Sequence, residues 1–154
     1  MLNQTPLGSA SYNRMLGWDE YVRSLLADGL CQDAAVFACS WPRLLAAKQQ
    51  GLFEQMSPQE IKAIVSSDRK TFLVKGLTVG GKKCFVIRDN FHVDGDYTMD
   101  IRMKRWDSNH PCHSIAIARS NKVFIMIMGK RGVHGGTLNK KAFQMANYIR
   151  KSGC

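Results

Sequence analysis

Apolar residues recur at helical spacing in Trp18, Tyr21, Val22, Leu25 and Leu26, which predicts an amphipathic helix starting near Gly17. Asp19 and Glu20 suit its first turn, and Asp28-Gly29 ends it. The pattern then shortens. Residues 33–39 read as a strand, Trp41-Pro42 breaks it, and Arg43 to Ala47 reads as a second. Ser57-Pro58-Gln59-Glu60 is a capping box that opens a helix through Ile61, Ile64 and Val65. Thr71 to Val74 is expected as a short strand, Gly80-Gly81 as a turn and Lys83 to Arg88 as a strand. Asp94-Gly95 reads as a hairpin turn. From Tyr97 to Lys104 the alternation is strict, with Tyr97, Met99, Ile101 and Met103 on one face and Thr98, Asp100, Arg102 and Lys104 on the other. Ser114 to Ala118 alternates Ile with Ala. Val123 to Met128 is apolar throughout, as in a strand covered on both faces. Leu138, Ala142, Met145, Ala146 and Ile149 form the stripe of a last helix, whose final turn carries Arg150 and Lys151.

The links between strands from residue 83 to 128 are too short for parallel crossovers, so these strands should form an antiparallel meander. Terminal helices on one face and the middle helix on the other give an α+β domain in three layers. Residues 1–14, with few apolar positions, are expected as a flexible N-terminal extension, and residues 15–154 as one domain.

Charge narrows the class of partner. Lys and Arg total 22 against 12 Asp and Glu, for a net charge of +10. That balance favours an acidic protein face, an anionic membrane or nucleic acid. Nucleic acid is not expected, because no zinc spacing, RNP sequence or basic-region heptad is present. Five scattered cysteines (31, 39, 84, 112 and 154) without Cys-x-x-Cys read as reduced thiols of a cytosolic protein. No run of 18 apolar residues occurs. The four histidines have no nucleophile motif beside them and no metal-ligand spacing, so neither an enzyme nor a metal or other cofactor is expected.

The stretch Gly129 to Met145 is the most distinctive in the chain. Four glycines fall within eight residues, followed by Asn139-Lys140-Lys141. It fits neither a phosphate-binding P-loop nor a dinucleotide fingerprint. Read as the first turn of the helix, the two lysines oppose the helix dipole at about 0.3–1 kcal/mol each. Either they serve a surface that meets an acidic partner, or the segment is a helix-entry turn with a solvated basic rim.

Taken together, several motifs resemble profilin, most closely the animal type. They are Gly17-Trp18-x-x-Tyr21, Ala27-Asp28-Gly29 with Cys31-Gln32-Asp33-Ala34-Ala35, and Gly76-Leu77-Thr78 leading to Lys83-Cys84-x-Val86-Ile87-Arg88-Asp89. Asp94-Gly95-Asp96, Met99-Asp100-Ile101-Arg102 and the Gly129–Lys141 segment complete the set. The resemblance covers residues 15–154. It implies a central antiparallel meander with N- and C-terminal helices on one face and short helices on the other. It also implies a cytoplasmic, cytoskeletal protein that binds monomeric actin, regulates actin polymerisation and nucleotide exchange, and binds proline-rich proteins and phosphoinositides. The alternative is a peripheral phosphoinositide-binding basic module without strong actin binding.

The resemblance carries over residue by residue. It places actin contacts at Val74, Lys83, Val86 and Arg88, at Arg102 and Lys104, and at His134, Gly136, Asn139 and Lys140. By alternation alone, Arg102 and Lys104 are also consistent with a solvated strand face, and His134 with a turn histidine. The proline-rich site is placed at Trp18, Tyr21, Leu45, Tyr148 and Cys154, with Leu45 and Cys154 standing where the family carries aromatic rings. Without the resemblance, Trp18 and Tyr21 read as core residues of an amphipathic helix. Trp41 lies close enough in sequence to replace the ring missing at Leu45. Phosphoinositide contacts fall on Lys83, Arg102, Lys104, Arg150 and Lys151.

Overall fold

The computed structural model describes residues 10–105 and 112–154, with side chains from Gly17 onward. Helix α1 spans Ala10–Leu26, strand β1 Cys31–Ala38 and strand β2 Arg43–Ala47. A 3-10 turn at Phe53–Gln55 precedes α2 (Pro58–Val65) and the single-turn α3 (Phe72–Lys75). Strands β3 (Leu77–Val79), β4 (Lys82–Asn90), β5 (Thr98–Met103), β6 (Ser114–Arg119) and β7 (Val123–Gly129) follow, and α4 (Gly135–Lys151) closes the chain. Helix α1 thus starts well before Gly17, and residues 10–14 of the expected extension continue it. The rest of that extension and residues 106–111 lie outside the described residues.

All seven strands form one antiparallel sheet in the order β2-β1-β7-β6-β5-β4-β3. This is the meander expected from the short links, closed by β7 pairing back onto β1. Two cores fill the two faces. Trp18, Val22 and Leu25 of α1 and Leu138, Ala142, Ala146 and Ile149 of α4 bury Val36, Ala116, Ile125 and Ile127 on one side. Ile61 and Ile64 of α2, Phe53 and Phe72 bury Phe37, Ile115, Ile117, Phe124 and Met126 on the other. The unbroken apolar run of β7 follows from this, since each of its residues meets a helix layer.

Two local expectations are corrected. Thr71 to Val74 is not a strand: Phe72 is buried while Leu73 and Val74 are exposed, the pattern of a helical turn with one inward position. Gly76 ends that turn at φ +68, where a Cβ would lie 2.2 Å from the Cys84 carbonyl oxygen, so glycine alone fits. Tyr97 does not share the Met99 face of β5. It sits at φ +55 in the preceding turn, its ring 4.9 Å from the Arg119 guanidinium and 4.4 Å from that of Arg150.

The capping box forms as read, with Ser57 Oγ accepting from Glu60 N at 3.1 Å and Glu60 Oε1 accepting from Ser57 N at 2.9 Å. Glu60 also accepts from Gly80 N at 3.0 Å and Gly81 N at 2.9 Å, tying α2 to the β3–β4 turn. Burial pushes its carboxyl up, but hydrogen bonds from Thr78 and from the Gly81, Ser57 and Gly80 amides outweigh that and hold it below the usual glutamate value of 4.5. A depressed carboxyl stabilises the fold fully above its unfolded value and loses that contribution as pH falls through the folded one. Glu60→Gln is therefore expected to lower stability at pH 7 by about 1–2 kcal/mol, from weakened bonds to the amides. It should also flatten the acid limb below about pH 4.5, as checked by urea melts from pH 3 to 7. Two thiols lie at the opposite extreme. Burial pushes Cys39 up to about 11 and Cys84 to about 12, which leaves them inert at neutral pH.

Candidate functional site

Seven strands at about 4.8 Å spacing span roughly 29 Å, more than two helices of about 10 Å each can cover. Helix α1 packs on β1 and β2, and α4 on β6, β7 and the near edge of β5. The same face of β4 and β5 beyond α4 is left open. Phe85 pairs across with Arg102 and then Ser114 on this face, while Val86, Ile101 and Ile115 point to the other. Phe85 is 52% and Ile87 61% exposed, and Val86 is 8% exposed. Val86 is thus a core residue and presents nothing to a partner. Phe85 and Ile87 are the exposed apolar positions that the sequence reading missed. The alternation of Lys83, Phe85 and Ile87 against Cys84 and Val86 is present in the chain. With apolar residues in both sets, it does not say which set faces inward.

Basic residues frame this open face. Lys83 is exposed, Lys104 places its ammonium 5.9 Å from the Phe85 ring, and Arg102 donates to Ser114 Oγ at 3.1 Å. A hollow of about 270 Å³ separates Ile87 and Arg102 from Gly135 and Gly136 at the start of α4. Nothing lies within 4 Å of where a Gly136 Cβ would be, so this residue keeps the rim low without being forced by packing. His134 is the N-cap of α4, exposed and without a side-chain capping bond. Val74 is 87% exposed on α3.

Arg88 and Asn139 are used within the fold. Arg88 donates to Asp96 at 2.7 Å, Asp100 at 3.1 Å and Thr98 at 2.7 Å, and Asn139 donates to Thr98 at 3.0 Å and Asp100 at 2.9 Å. Together they lock α4 onto β5. Burial raises the Asp96 carboxyl, but bonds from Thr98, Asn90 and Arg88 win and hold it below its ordinary value. The helix-dipole reading of the lysines also changes. With His134 as N-cap, Lys140 and Lys141 stand in the second turn, where the dipole has faded. Lys140 is exposed. Lys141 bonds Asp28 at 2.5 Å, and this hydrogen bond is the main cause that lowers the Asp28 carboxyl.

The second feature is a groove of about 660 Å³ between α1 and α4, lined by Tyr21, Leu25, Met145 and Tyr148 with Glu20 and Asp28 at its rim. The Trp18 and Tyr21 rings lie 5.3 Å apart, and Tyr21 and Tyr148 lie 6.3 Å apart. Leu45 and Cys154 pack against the same cluster. Burial, then the nearness of Tyr148 and Cys154, raises the Tyr21 hydroxyl. Trp18, Tyr21 and Tyr148 are thus linked ring to ring, Cys154 lies near Tyr21, and Leu45 packs on the same core cluster as Trp18. Trp18 is 9% exposed and, as a core residue, stands behind Tyr21 and does not line the groove itself. Trp41 does not join them: it is 87% exposed on the β1–β2 turn at φ +51, with no ring contact to the groove.

The five phosphoinositide positions are not brought together. Arg102 pairs with Ser114 at one end of β6, and Arg150 donates to the Arg119 carbonyl at the other end, roughly 17 Å away for five residues of strand.

The profilin family model matches residues 16–154. Rat Profilin-2 is 49% identical over 140 residues, 90% of this chain and 99% of its own length. Mouse Profilin-1 is 43% identical over 139 residues, again 90% and 99%. Among solved structures, mouse profilin IIa, in complex with a double repeat from the FH1 domain of mDia1, superposes with a TM-score of 0.85 at 49% identity, covering 90% of this chain and 99% of that one. The open sheet face, the interhelical groove and the seven-stranded order sit on one scaffold over nearly the whole length of these relatives, and the chain belongs to the profilin family.

Proposed function

We propose that this chain binds monomeric actin through the open face of β4 and β5 with the start of α4. We further propose that it binds proline-rich segments in the α1–α4 groove, and so regulates actin polymerisation and nucleotide exchange. The observation that carries the first part is the pairing of exposed Phe85 and Ile87 with Lys83, Arg102 and Lys104 beside the Gly135–Gly136 hollow. Apolar contacts at the centre give the complex its lifetime, and basic residues at the rim steer an acidic partner. The test is gel filtration of the chain with monomeric actin, where a one-to-one peak is expected. Elution of the two proteins apart at micromolar concentration would rule this reading out.

The groove supports the second part. The structure of mouse profilin IIa contains a double FH1 repeat, and the rings of Trp18, Tyr21 and Tyr148 offer flat surfaces to a polyproline II helix. Leu45 and Cys154 offer none. Leu45→Trp with Cys154→Tyr is expected to tighten a proline peptide about tenfold, since burying some 50 Å² more apolar surface contributes about 1.3 kcal/mol. A fluorescence titration reads this, and unchanged affinity would place the peptide elsewhere.

Binding to phosphoinositides is the third part, carried by the net charge of +10. Its residues divide into Lys83, Arg102 and Lys104 at the actin-facing end and Arg150 and Lys151 at the other. Vesicle co-sedimentation that falls steeply with salt is the expected result.

A further inference from the structure

Helix α1 outruns its partner. Tyr21 meets Tyr148 ring to ring and Asp28 bonds Lys141, so α1 and α4 lie antiparallel, residue against residue. By that register Lys151, the last residue of α4, stands level with Trp18. The backbone of α1 begins at Ala10, about 12 Å before Trp18, and so runs two turns past the end of α4. Residues 1–9 join the domain there, at the Tyr148 end of the α1–α4 groove. The family match begins at residue 16 and leaves them outside the shared scaffold.

Their composition and their length both suit the groove. Residues 1–9 carry no charged side chain, and Leu2, Pro6 and Leu7 are apolar. Thr5 precedes Pro6, which favours an extended backbone, and Gly8 gives the chain freedom to reverse before α1. Turned back along α1, Pro6 is four residues from Ala10, about 13 Å of extended chain, against about 12 Å from Ala10 to Trp18. Leu2 is eight residues away, about 26 Å, against about 22 Å from Ala10 to Leu25. Pro6 thus comes level with the Trp18 and Tyr21 rings, and Leu2 with Leu25 of the groove lining. Tyr148, 61% exposed, offers the segment a further ring to lie on.

We propose that residues 1–9 fold back into the α1–α4 groove and act as a built-in competitor of proline-rich ligands. The proposal rests on the proline-binding reading above and adds its regulation. A short tether holds such a segment at an effective concentration in the millimolar range. A segment with one proline then competes, although it would bind weakly as a free peptide. Leu45 and Cys154 favour this, because they leave fewer rings for an outside ligand to grip. The apparent affinity of that ligand is reduced to the fraction of chains whose groove is empty. Short proline runs are excluded, and ligands with several runs in tandem displace the segment.

The test compares the full chain with a full-length variant carrying Leu2→Ser, Pro6→Ser and Leu7→Ser. A poly-proline peptide is titrated against both, and the methyl signal of Met145, which lines the groove, is followed by NMR without peptide. The variant is expected to bind the peptide about threefold more tightly or better, and the methyl signal to differ between the two free proteins. Actin binding, on the other side of α4, should be equal in both. If neither protein binds the peptide, the proline-binding reading falls and the competitor with it. If both bind it equally, that reading stands and the competitor is overturned. Tighter binding by the variant with an unmoved methyl signal would mean that the segment obstructs from outside the groove, which also overturns the proposal. A methyl difference that grows with protein concentration would place the segment in the groove of a second copy and overturn the fold-back.

Discussion

Reversing the charges of Arg102 and Lys140 together is expected to weaken the actin complex by at least a hundredfold. Arg102 lines the hollow from β5, Lys140 follows the Gly135–Gly136 rim in the second turn of α4, and both are exposed. Neither holds the core. Among the described residues Arg102 bonds Ser114 Oγ at 3.1 Å, and the lock between α4 and β5 is made by Asn139 and Arg88. Each reversal replaces attraction by repulsion against an acidic partner, and like-charge juxtaposition at an interface is disfavoured by several kcal/mol. Thermal stability should stay within about 0.5 kcal/mol of the wild type, as for other surface positions. Isothermal titration with monomeric actin gives the answer, and a double variant that binds as the wild type does removes the open face from the interface. The companion change Phe85→Ala separates steering from contact. It should mainly raise the dissociation rate, whereas the charge changes should mainly lower the association rate and its salt dependence.

Arg69→Ala is expected to destabilise the fold by about 3–5 kcal/mol, the usual result of removing one partner of a buried ion pair. The Arg69 guanidinium meets both Asp89 carboxylate oxygens, at 2.7 and 3.0 Å, with the two side chains only 14% and 10% exposed. Its remaining donor bonds the Ile64 and Ser66 carbonyls at 2.6 and 2.7 Å, closing the C-terminal end of α2. The Phe72 and Phe91 rings lie 4.9 and 5.0 Å from its central carbon. One planar group thus joins α2, α3 and β4. Lysine has neither the fork nor the flat face, so Arg69→Lys should recover less than half of the loss. Equilibrium urea denaturation of the three proteins decides this. A loss below about 1 kcal/mol for Arg69→Ala would show that the pair contributes no more than an exposed one.

Much of this architecture is legible in the chain because its strongest signals are periodic. The stripe from Leu138 to Ile149, the capping box at Ser57 and the run from Val123 to Met128 each have one physical solution, and the structure adopts it. Short segments without a period were harder. Thr71 to Val74 is β-branched and aromatic, yet Arg69 stacking on Phe72 and the left-handed Gly76 fix it as a helical turn. Tyr97 fits the alternation of β5 but is drawn into the preceding turn by two guanidinium groups. At the candidate site, residue types alone mark only basic and aromatic surface, and the resemblance supplies most positions. Val86 and Ile87 show where that stops. Both are β-branched and adjacent, and only the placement of α4 over β6 and not over β4 decides which one meets solvent. Arg88 and Asn139 show a related limit, since a sequence does not reveal that a charge is already satisfied internally.

The order of strands has a consequence for the timing of folding. β7 lies between β1 and β6, so the pair β2-β1 cannot join the pair β6-β5 until the last strand has been made. The groove needs α1 from the start of the chain and α4 from its end, and the hollow beside β5 needs Gly135 and Gly136. Such long-range closure slows folding, because the loop entropy must be overcome before the contacts form. A chain that has not yet made α4 therefore lacks part of the lining of both hollows. The two proposed binding surfaces become complete together, when α4 packs on the sheet, and neither is complete in a chain cut short before α4.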